Sequence, residues 1–212
     1  MKIELENVLP SEIEKKSFEI IESELPRTID EKLAPIIKRV IHTTADFDYV
    51  DTLYFSEGIL ETAFEALRNG ATIVTDTNMA KSGINKKALE KLGCKLECFM
   101  ADSDVAEIAK KKGTTRATAS VDKAAWIEGP VIFVCGNAPT ALVRICELMD
   151  EGVFKPAFVV GVPVGFVNVV PAKEMIIESG VPCIVARGRK GGSNVAAAII
   201  NALMYMITDR DL

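Results

Sequence analysis

From residue 71 onward the chain alternates short strand-like runs, most of them continuously apolar, with amphipathic stretches. The runs are Ala71-Thr-Ile-Val-Thr75, Lys95 to Met100, Val131-Ile-Phe-Val-Cys135, Ala157 to Val160 and Pro182 to Ala186. A strand apolar at consecutive residues, rather than at every second one, is covered on both faces, as in a parallel sheet sandwiched by helices. Right-handed crossovers then put helices on both sides. The pattern predicts a three-layer α/β/α unit with a mainly parallel sheet of about five strands. Helices are expected at Ile84 to Leu92, about Ser103 to Lys112, a stretch carrying Trp126, Thr140 to Glu151, Pro171 to Ser179, and a last one ending near Ile207.

The first 70 residues read as helical. Ser11 with Glu14 three residues on has the spacing of a capping box, and the apolar residues Ile13, Phe18, Ile20, Ile21 and Leu25 carry a helix to Pro26. Ser17 lies inside it. Thr28 to Glu31 offers a cap for a second helix, with Pro35 expected to restart or kink it. Ser56 to Gly70 reads as a third, capped by Ser56. No linker, repeat or low-complexity tract divides the chain. Residues 1–212 are therefore expected to be a single α/β domain, with residues 1–70 packed on the βα body of residues 71–212.

Composition removes several function classes. The chain has 212 residues and a net charge of −5, so its overall field does not favour nucleic acid. No run approaches the ~18–20 apolar residues of a membrane span, and Met1-Lys-Ile-Glu4-Leu-Glu6 has no signal-peptide pattern, so a cytoplasmic location is expected. Cys94, Cys98, Cys135, Cys146 and Cys183 match neither a zinc spacing nor a disulfide framework, and are read as reduced and mostly buried. With one histidine in the chain, no metal site built on histidines is expected.

That histidine, His42, stands in Arg39-Val-Ile-His42-Thr-Thr-Ala-Asp46-Phe-Asp48. Its ordinary pKa near neutrality makes it the natural group for proton transfer, and Arg39 shares its helix face. A solvated residue at a helix end fits the same residues, and they alone leave both readings open. Ligands of open α/β sheets bind beyond the carboxyl ends of the strands. There the chain carries Thr77-Asn78, Gly136-Asn137-Ala138-Pro139, Gly161-Val-Pro163-Val-Gly165 and Arg187 through Asn194. Glycine-rich loops and helix N-termini offer backbone N–H groups to anions, and Arg187, Arg189 and Lys190 add positive charge. A ligand with several carboxylates or phosphates would suit them. Neither a P-loop nor a dinucleotide fingerprint is present, which argues against a nucleotide-dependent enzyme.

Beyond this point the residues carry a resemblance. Glu14-Lys-Lys-Ser17-Phe18, Arg39-Val-Ile-His42, Asp46-Phe-Asp48-Tyr49, Asp76-Thr-Asn78-Met79, Gly113-Thr-Thr-Arg116, Gly136-Asn-Ala-Pro139-Thr140-Ala-Leu142, Gly161-Val-Pro163-Val-Gly165-Phe166-Val-Asn168 and Lys190-Gly-Gly-Ser193-Asn194 occur in this order. The series resembles the precorrin-8X (cobalt-precorrin-8) methylmutase family of cobalamin biosynthesis, from about residue 10 to 205. The resemblance implies a flavodoxin-like fold and an isomerase without cofactor. It implies that a methyl group moves from C-11 to C-12 of a tetrapyrrole polycarboxylate, giving hydrogenobyrinate or its cobalt form. It further implies a homodimer with sites near the interface; the composition already speaks against a metal, nucleic-acid or membrane partner. It places the catalytic histidine at His42 and substrate contacts at Ser17, Arg39 and Arg116; the loop position suggests Thr77 and Asn78 as further contacts. Asp46 or Asp48 is expected to orient His42. A tetrapyrrole carrier without turnover is the alternative.

Overall fold

The computed structural model describes residues 7–208. The N-terminal six residues, where no signal pattern was read, lie outside them. In chain order the elements are α1 (Ile13–Glu24), α2 (Ala34–Thr44), α3 (Tyr49–Thr52), β1 (Leu53–Phe55), α4 (Ile59–Arg68), β2 (Thr72–Thr75), α5 (Asn78–Gly83), α6 (Lys86–Leu92), β3 (Lys95–Glu97), α7 (Ser103–Lys112), α8 (Arg116–Ala124), β4 (Val131–Cys135), α9 (Pro139–Asp150), β5 (Phe158–Gly161), α10 (Val169–Glu178), β6 (Cys183–Ala186) and α11 (Ser193–Ile207).

Among the described residues the strands form one sheet in the order β1-β6-β5-β4-β2-β3. The five strands from β2 to β6 are parallel to one another. Numbered among themselves, they run 2-1-3-4-5, the flavodoxin-like order, with its switch point between β2 and β4. The sixth strand, β1, was not foreseen. It pairs antiparallel with β6, Leu53 facing Ala186 and Phe55 facing Ile184. Three residues are too short a run for periodicity to register, and only the exposed edge of β6 makes them a strand. Ser56 is diverted by the same pairing: its Oγ accepts the Cys183 N–H at 2.8 Å. The cap of α4 falls to Gly58 in the left-handed conformation (φ 68°), not to Ser56.

Strand alternation sorts the core into two faces. Ile73, Ile132, Val134, Phe158, Val160 and Ile184 pack with α2, α4, α6 and α11. Val74, Val131, Phe133, Val159 and Val185 pack with α8, α9 and α10. Burying each such side chain stabilises the fold by roughly 1.5–3 kcal/mol. α11 lies against the sheet and is itself covered by α2 and α5, so Val195 to Ile200 are buried without a break. α1 packs on α2, forming an outermost layer.

Several helix readings change. Trp126 lies past the end of α8 at Ala124, and α2 opens at Ala34 without a side-chain cap, so Thr28 to Glu31 does not cap it. The Ser11–Glu14 capping box does not form, since α1 opens after a 3-10 turn with no side-chain cap, and Glu14 turns instead to Arg39 on α2. Pro35 sits in the first turn of α2, where its missing N–H costs nothing. The expected helix from Ile84 is preceded by a separate one, α5, and the break between α5 and α6 is held by α11. There Asn201 accepts the Asn85 N–H and donates to Gly83 O, both at 2.8 Å, while Asn85 donates to the Tyr205 hydroxyl at 2.9 Å. The five cysteines are free thiols, four buried and Cys94 half-buried. Among the described residues no helix is long and apolar enough to cross a membrane.

At the switch point Asp76, 1% exposed, follows β2. Its carboxylate accepts the N–H groups of Gly136, Asn137 and Ala138 at 2.7–2.8 Å. Asp76→Ala strips a charged acceptor from three backbone donors, that of Gly136 buried and those of Asn137 and Ala138 part-buried, at about 1–3 kcal/mol for a buried group left unmade. We expect a loss of about 2–3 kcal/mol, or some 4–12 °C in a chain of this length, measured by thermal unfolding.

Candidate active site

α2 turns Ile36, Ile37, Val40 and Ile41 into the core and leaves Arg39 and His42, one turn apart, facing α1. The His42 ring stacks on Phe18 of α1, centroids 5.3 Å apart and planes 20° from parallel. Ser17, Ile20, Ile21 and Glu24 of α1 close a cavity of about 320 Å³ with Ile41, His42, Ala45 and Phe47. Ser17 donates its hydroxyl to Ile13 O within α1 at 2.8 Å. Arg39 lies beside this cavity with its guanidinium 4.8 Å from the Phe18 ring and 5.4 Å from the Tyr205 ring, and it is ion-paired with Glu14. Ser17, Arg39 and His42, distributed over two helices, are thus brought together on one α1–α2 face.

The chain leaves α2 through Ala45, whose φ of 53° is uncommon for a residue with a Cβ. Its N–H reaches Ile41 O at 2.7 Å. Asp46 and Asp48 follow, and neither orients His42. Both bind Lys190, at 2.6 and 2.5 Å. Lys190 is the main reason the Asp46 carboxyl is held below its ordinary value. Among the described residues no side chain hydrogen-bonds the His42 ring, so its orientation comes from the Phe18 stack.

The other expected contacts stand apart from this cavity. Arg116 opens α8, on the opposite face of the sheet, and its nearest polar partner is Met100 O at 3.5 Å. Thr77 caps α5 by accepting the Ala80 N–H at 3.0 Å and pairs with the Ser193 hydroxyl at 2.7 Å. Asn78 is exposed at the first position of α5. These three lie along the carboxyl edge of the sheet and not around His42 in the same chain. The N–H groups after β4, expected to face a ligand anion, are occupied by Asp76 instead. A phosphate seated at this switch point would have to displace an internal carboxylate.

The loops after β5 and β6 form one body. Gly165 N–H meets Arg189 O at 3.1 Å and Gly192 N–H meets Val162 O at 2.8 Å. Gly191 runs at φ 155° so close that a Cβ would overlap the Val162 carbonyl oxygen. Beneath them lies Lys173, with no exposed surface, donating to Gly188 O and Lys190 O at 2.8 Å each. Burial lowers its pKa from 10.5 to about 8, with Cys135 and then Glu174 pulling the other way. Sequence reading passed over Lys173, yet a signal was there: it occupies an apolar-face position of α10, between Val169, Ala172 and Ile176. Glu14 and Phe18 were legible only as sequence neighbours of Ser17. Nothing in the sequence ties Tyr205 to Arg39. Among the described residues no group of three or more His, Cys, Asp or Glu is arranged to hold a metal ion.

Comparison with known proteins agrees over nearly the whole length. A family model for precorrin-8X methylmutase matches residues 12–206. The cobalt-precorrin-8 methylmutase of Salmonella typhimurium is 48% identical over 209 residues, covering 94% of this chain and 97% of that protein. The cobalt-precorrin-8 methylmutase of Methanocaldococcus jannaschii is 40% identical, covering 91% of each. The crystal structure of a precorrin-8X methylmutase from Thermus thermophilus superposes with a TM-score of 0.83 at 38% identity, covering 92% of this chain and 96% of that one.

Lys173 makes a pH-dependent contribution whose sign is fixed. Its folded pKa, about 8, lies below the unfolded one, so above pH 8 the unfolded chain binds the extra proton and this group's share of stability rises with pH. The rise ends near the unfolded value of about 10.4. Stability of the parent relative to Lys173→Met should therefore climb by about 2 kcal/mol between pH 8 and 10, read from urea unfolding at each pH. A flat difference would contradict the buried, depressed amine.

Proposed function

The chain belongs to the precorrin-8X methylmutase family and is an isomerase that moves a methyl group on precorrin-8X or cobalt-precorrin-8, and we propose that the shift from C-11 to C-12 takes place against the α1–α2 cavity, with His42 as its proton donor. What supports this reading most directly is that His42 and Ser17, from separate helices, line one cavity. Stacking on Phe18 fixes the imidazole plane and leaves its nitrogens to the substrate. Protonating or hydrogen-bonding a pyrrole nitrogen shifts the conjugated system and eases a 1,5-sigmatropic migration. The migrating methyl needs neither a nucleophile nor water. His42 and Ile20 are exposed in this chain, so the bound macrocycle itself has to exclude water from the apolar lining of Ile20, Ile21, Ile41 and Phe47.

Arg39 acts beside His42. Its guanidinium has five N–H donors in a planar fork, of which the Nη1 group serves Glu14. The remainder can take a substrate carboxylate in charge-assisted bonds, while the Phe18 and Tyr205 rings keep the fork from swinging. Ser17 offers a hydroxyl at the same rim. The substrate is larger than a drug-sized ligand, whose sites span roughly 300–1,000 Å³. A cavity of about 320 Å³ therefore receives one edge of the macrocycle. We propose a cytoplasmic homodimer, and the partial cavity supports a second copy that completes the site and lets Arg116, Thr77 and Asn78 approach the ring periphery. Whether the natural substrate carries cobalt decides between two chromophores, and both fit the same acid and carboxylate holders.

Replacing His42 with Ala should cut turnover by about two to four orders of magnitude, while affinity for the tetrapyrrole product stays within a few-fold. Anaerobic absorption spectra of cobalt-precorrin-8 mixed with each protein give both quantities. Undiminished turnover by the variant would remove His42 from the chemistry. Tight binding without turnover by the parent protein would make it a carrier.

A further inference from the structure

A fully buried lysine with no carboxylate partner is a costly feature, and the reaction above gives it no task. Lys173 directs both its hydrogen bonds to carbonyls of one turn, Gly188 O and Lys190 O. That turn carries Arg187, Arg189 and Lys190, three cations in four residues. Each is aimed by a different contact. Arg187 lies 5.2 Å from the Tyr54 ring and 3.4 Å from Glu174. Arg189 lies 5.3 Å from the Phe166 ring, and among the described residues it has no carboxylate within ion-pair distance. Lys190 holds Asp46 and Asp48, which follow His42 by four and six residues.

Phe166 is 81% exposed, so this stack is a surface feature: a flat apolar ring with an unpaired guanidinium beside it. Lys190, next to Arg189 in the chain, pairs with Asp46, which adjoins Phe47 of the His42 cavity. Cations gathered on one turn repel each other, and with the buried ammonium under them the turn would spread if its carbonyls were free to rotate. Lys173 prevents that by holding two of them from inside.

We propose that Lys173 is a positioning residue for substrate binding: by gripping the Gly188–Lys190 turn from within the core, it presents Arg189 and Phe166 to the edge of the macrocycle, with Lys190 anchoring the same turn to Asp46 and Asp48 from outside. The proposal rests on the methylmutase reading of the site. Lys173 touches neither substrate nor reacting atoms, and its effect reaches the reaction through the turn. A methionine of similar length fills its place without gripping the carbonyls. A glutamine keeps two N–H donors on a slightly shorter stem.

The test compares Lys173→Met, Lys173→Gln and Lys190→Met with the parent protein. The readouts are steady-state kinetics with cobalt-precorrin-8, absorption titration with the stable tetrapyrrole product, and circular dichroism to confirm folding. Lys173→Met should raise KM and the product Kd about tenfold or more while kcat stays within about threefold. Lys173→Gln should recover part of that loss, and the exposed Lys190→Met should move KM in the same direction by a smaller factor. A folded Lys173→Met with parental KM and Kd would overturn the proposal and leave Lys173 a structural residue only. If Lys173→Met does not fold, the other two variants decide: parental KM in either overturns the proposal, and a raised KM in both upholds it. Absence of turnover and of product binding in the parent protein itself would instead sink the methylmutase reading, which separates the two failures.

Discussion

An almost wholly apolar helix, α11, has to be covered on every side, and the rest of the molecule follows from how that is done. One side meets the sheet at β4 and β5, and the others are taken by α2, α4, α5 and α6. The front helices are therefore committed to the same core as the strands. Because α2 commits Ile36, Ile37, Val40 and Ile41 to α11, its remaining face has nowhere to point but outward, toward α1. Arg39 and His42 occupy that face. The candidate site is thus a by-product of covering α11, and its depth is set by α1, an outer helix that contributes Ile21 to the core.

The polar groups of the same region follow one rule of pairing. Asn201 and Tyr205, the interruptions in the apolar surface of α11, fasten the break between α5 and α6. Asp76 fills the N–H nest after β4, and Lys173 fills the carbonyl cluster after β6. The two charges are matched to opposite ends of the backbone dipole: three donors for a carboxylate, two acceptors for an ammonium. Their consequence is a rigid carboxyl edge whose obvious anion seat is already taken. In the proposed reading, binding at that edge uses side chains that project beyond it, such as Arg189, Phe166 and Arg116. A flavodoxin-like sheet can in this way lose its phosphate site while keeping its topology.

Surface ion pairs are ordinarily worth little, and most of those on this protein are of that kind. The Lys190 pair with Asp46 and Asp48 differs in what it joins. It spans some 140 residues of sequence and links the loop behind His42 to the turn gripped by Lys173. Its value lies in registering two loops against each other more than in free energy.

The parallel sheet and its two covered faces were legible in four continuously apolar runs, because that pattern has few other ways to be buried, and β3 was legible from its place in the alternation. His42 and Arg39 were legible as a pair, since helical spacing alone puts them on one face. The resemblance of the ordered motifs reached the family and its reaction. The sequence could not say that β1 exists, because three residues become a strand only when a free sheet edge meets them. Nor could it show that Ser56, Glu14, Asp46 and Asp48 would leave their local roles for partners 25 to 144 residues away. Local capping and orientation compete with such long-range bonds at similar energies, and which one wins depends on where packing of the apolar core has already put the partner. Sequence by itself determined which faces are buried and which residue types carry the chemistry. Only the tertiary structure decided which partner each charged group takes, because a charge settles on whatever the folded backbone brings within about 3 Å of it.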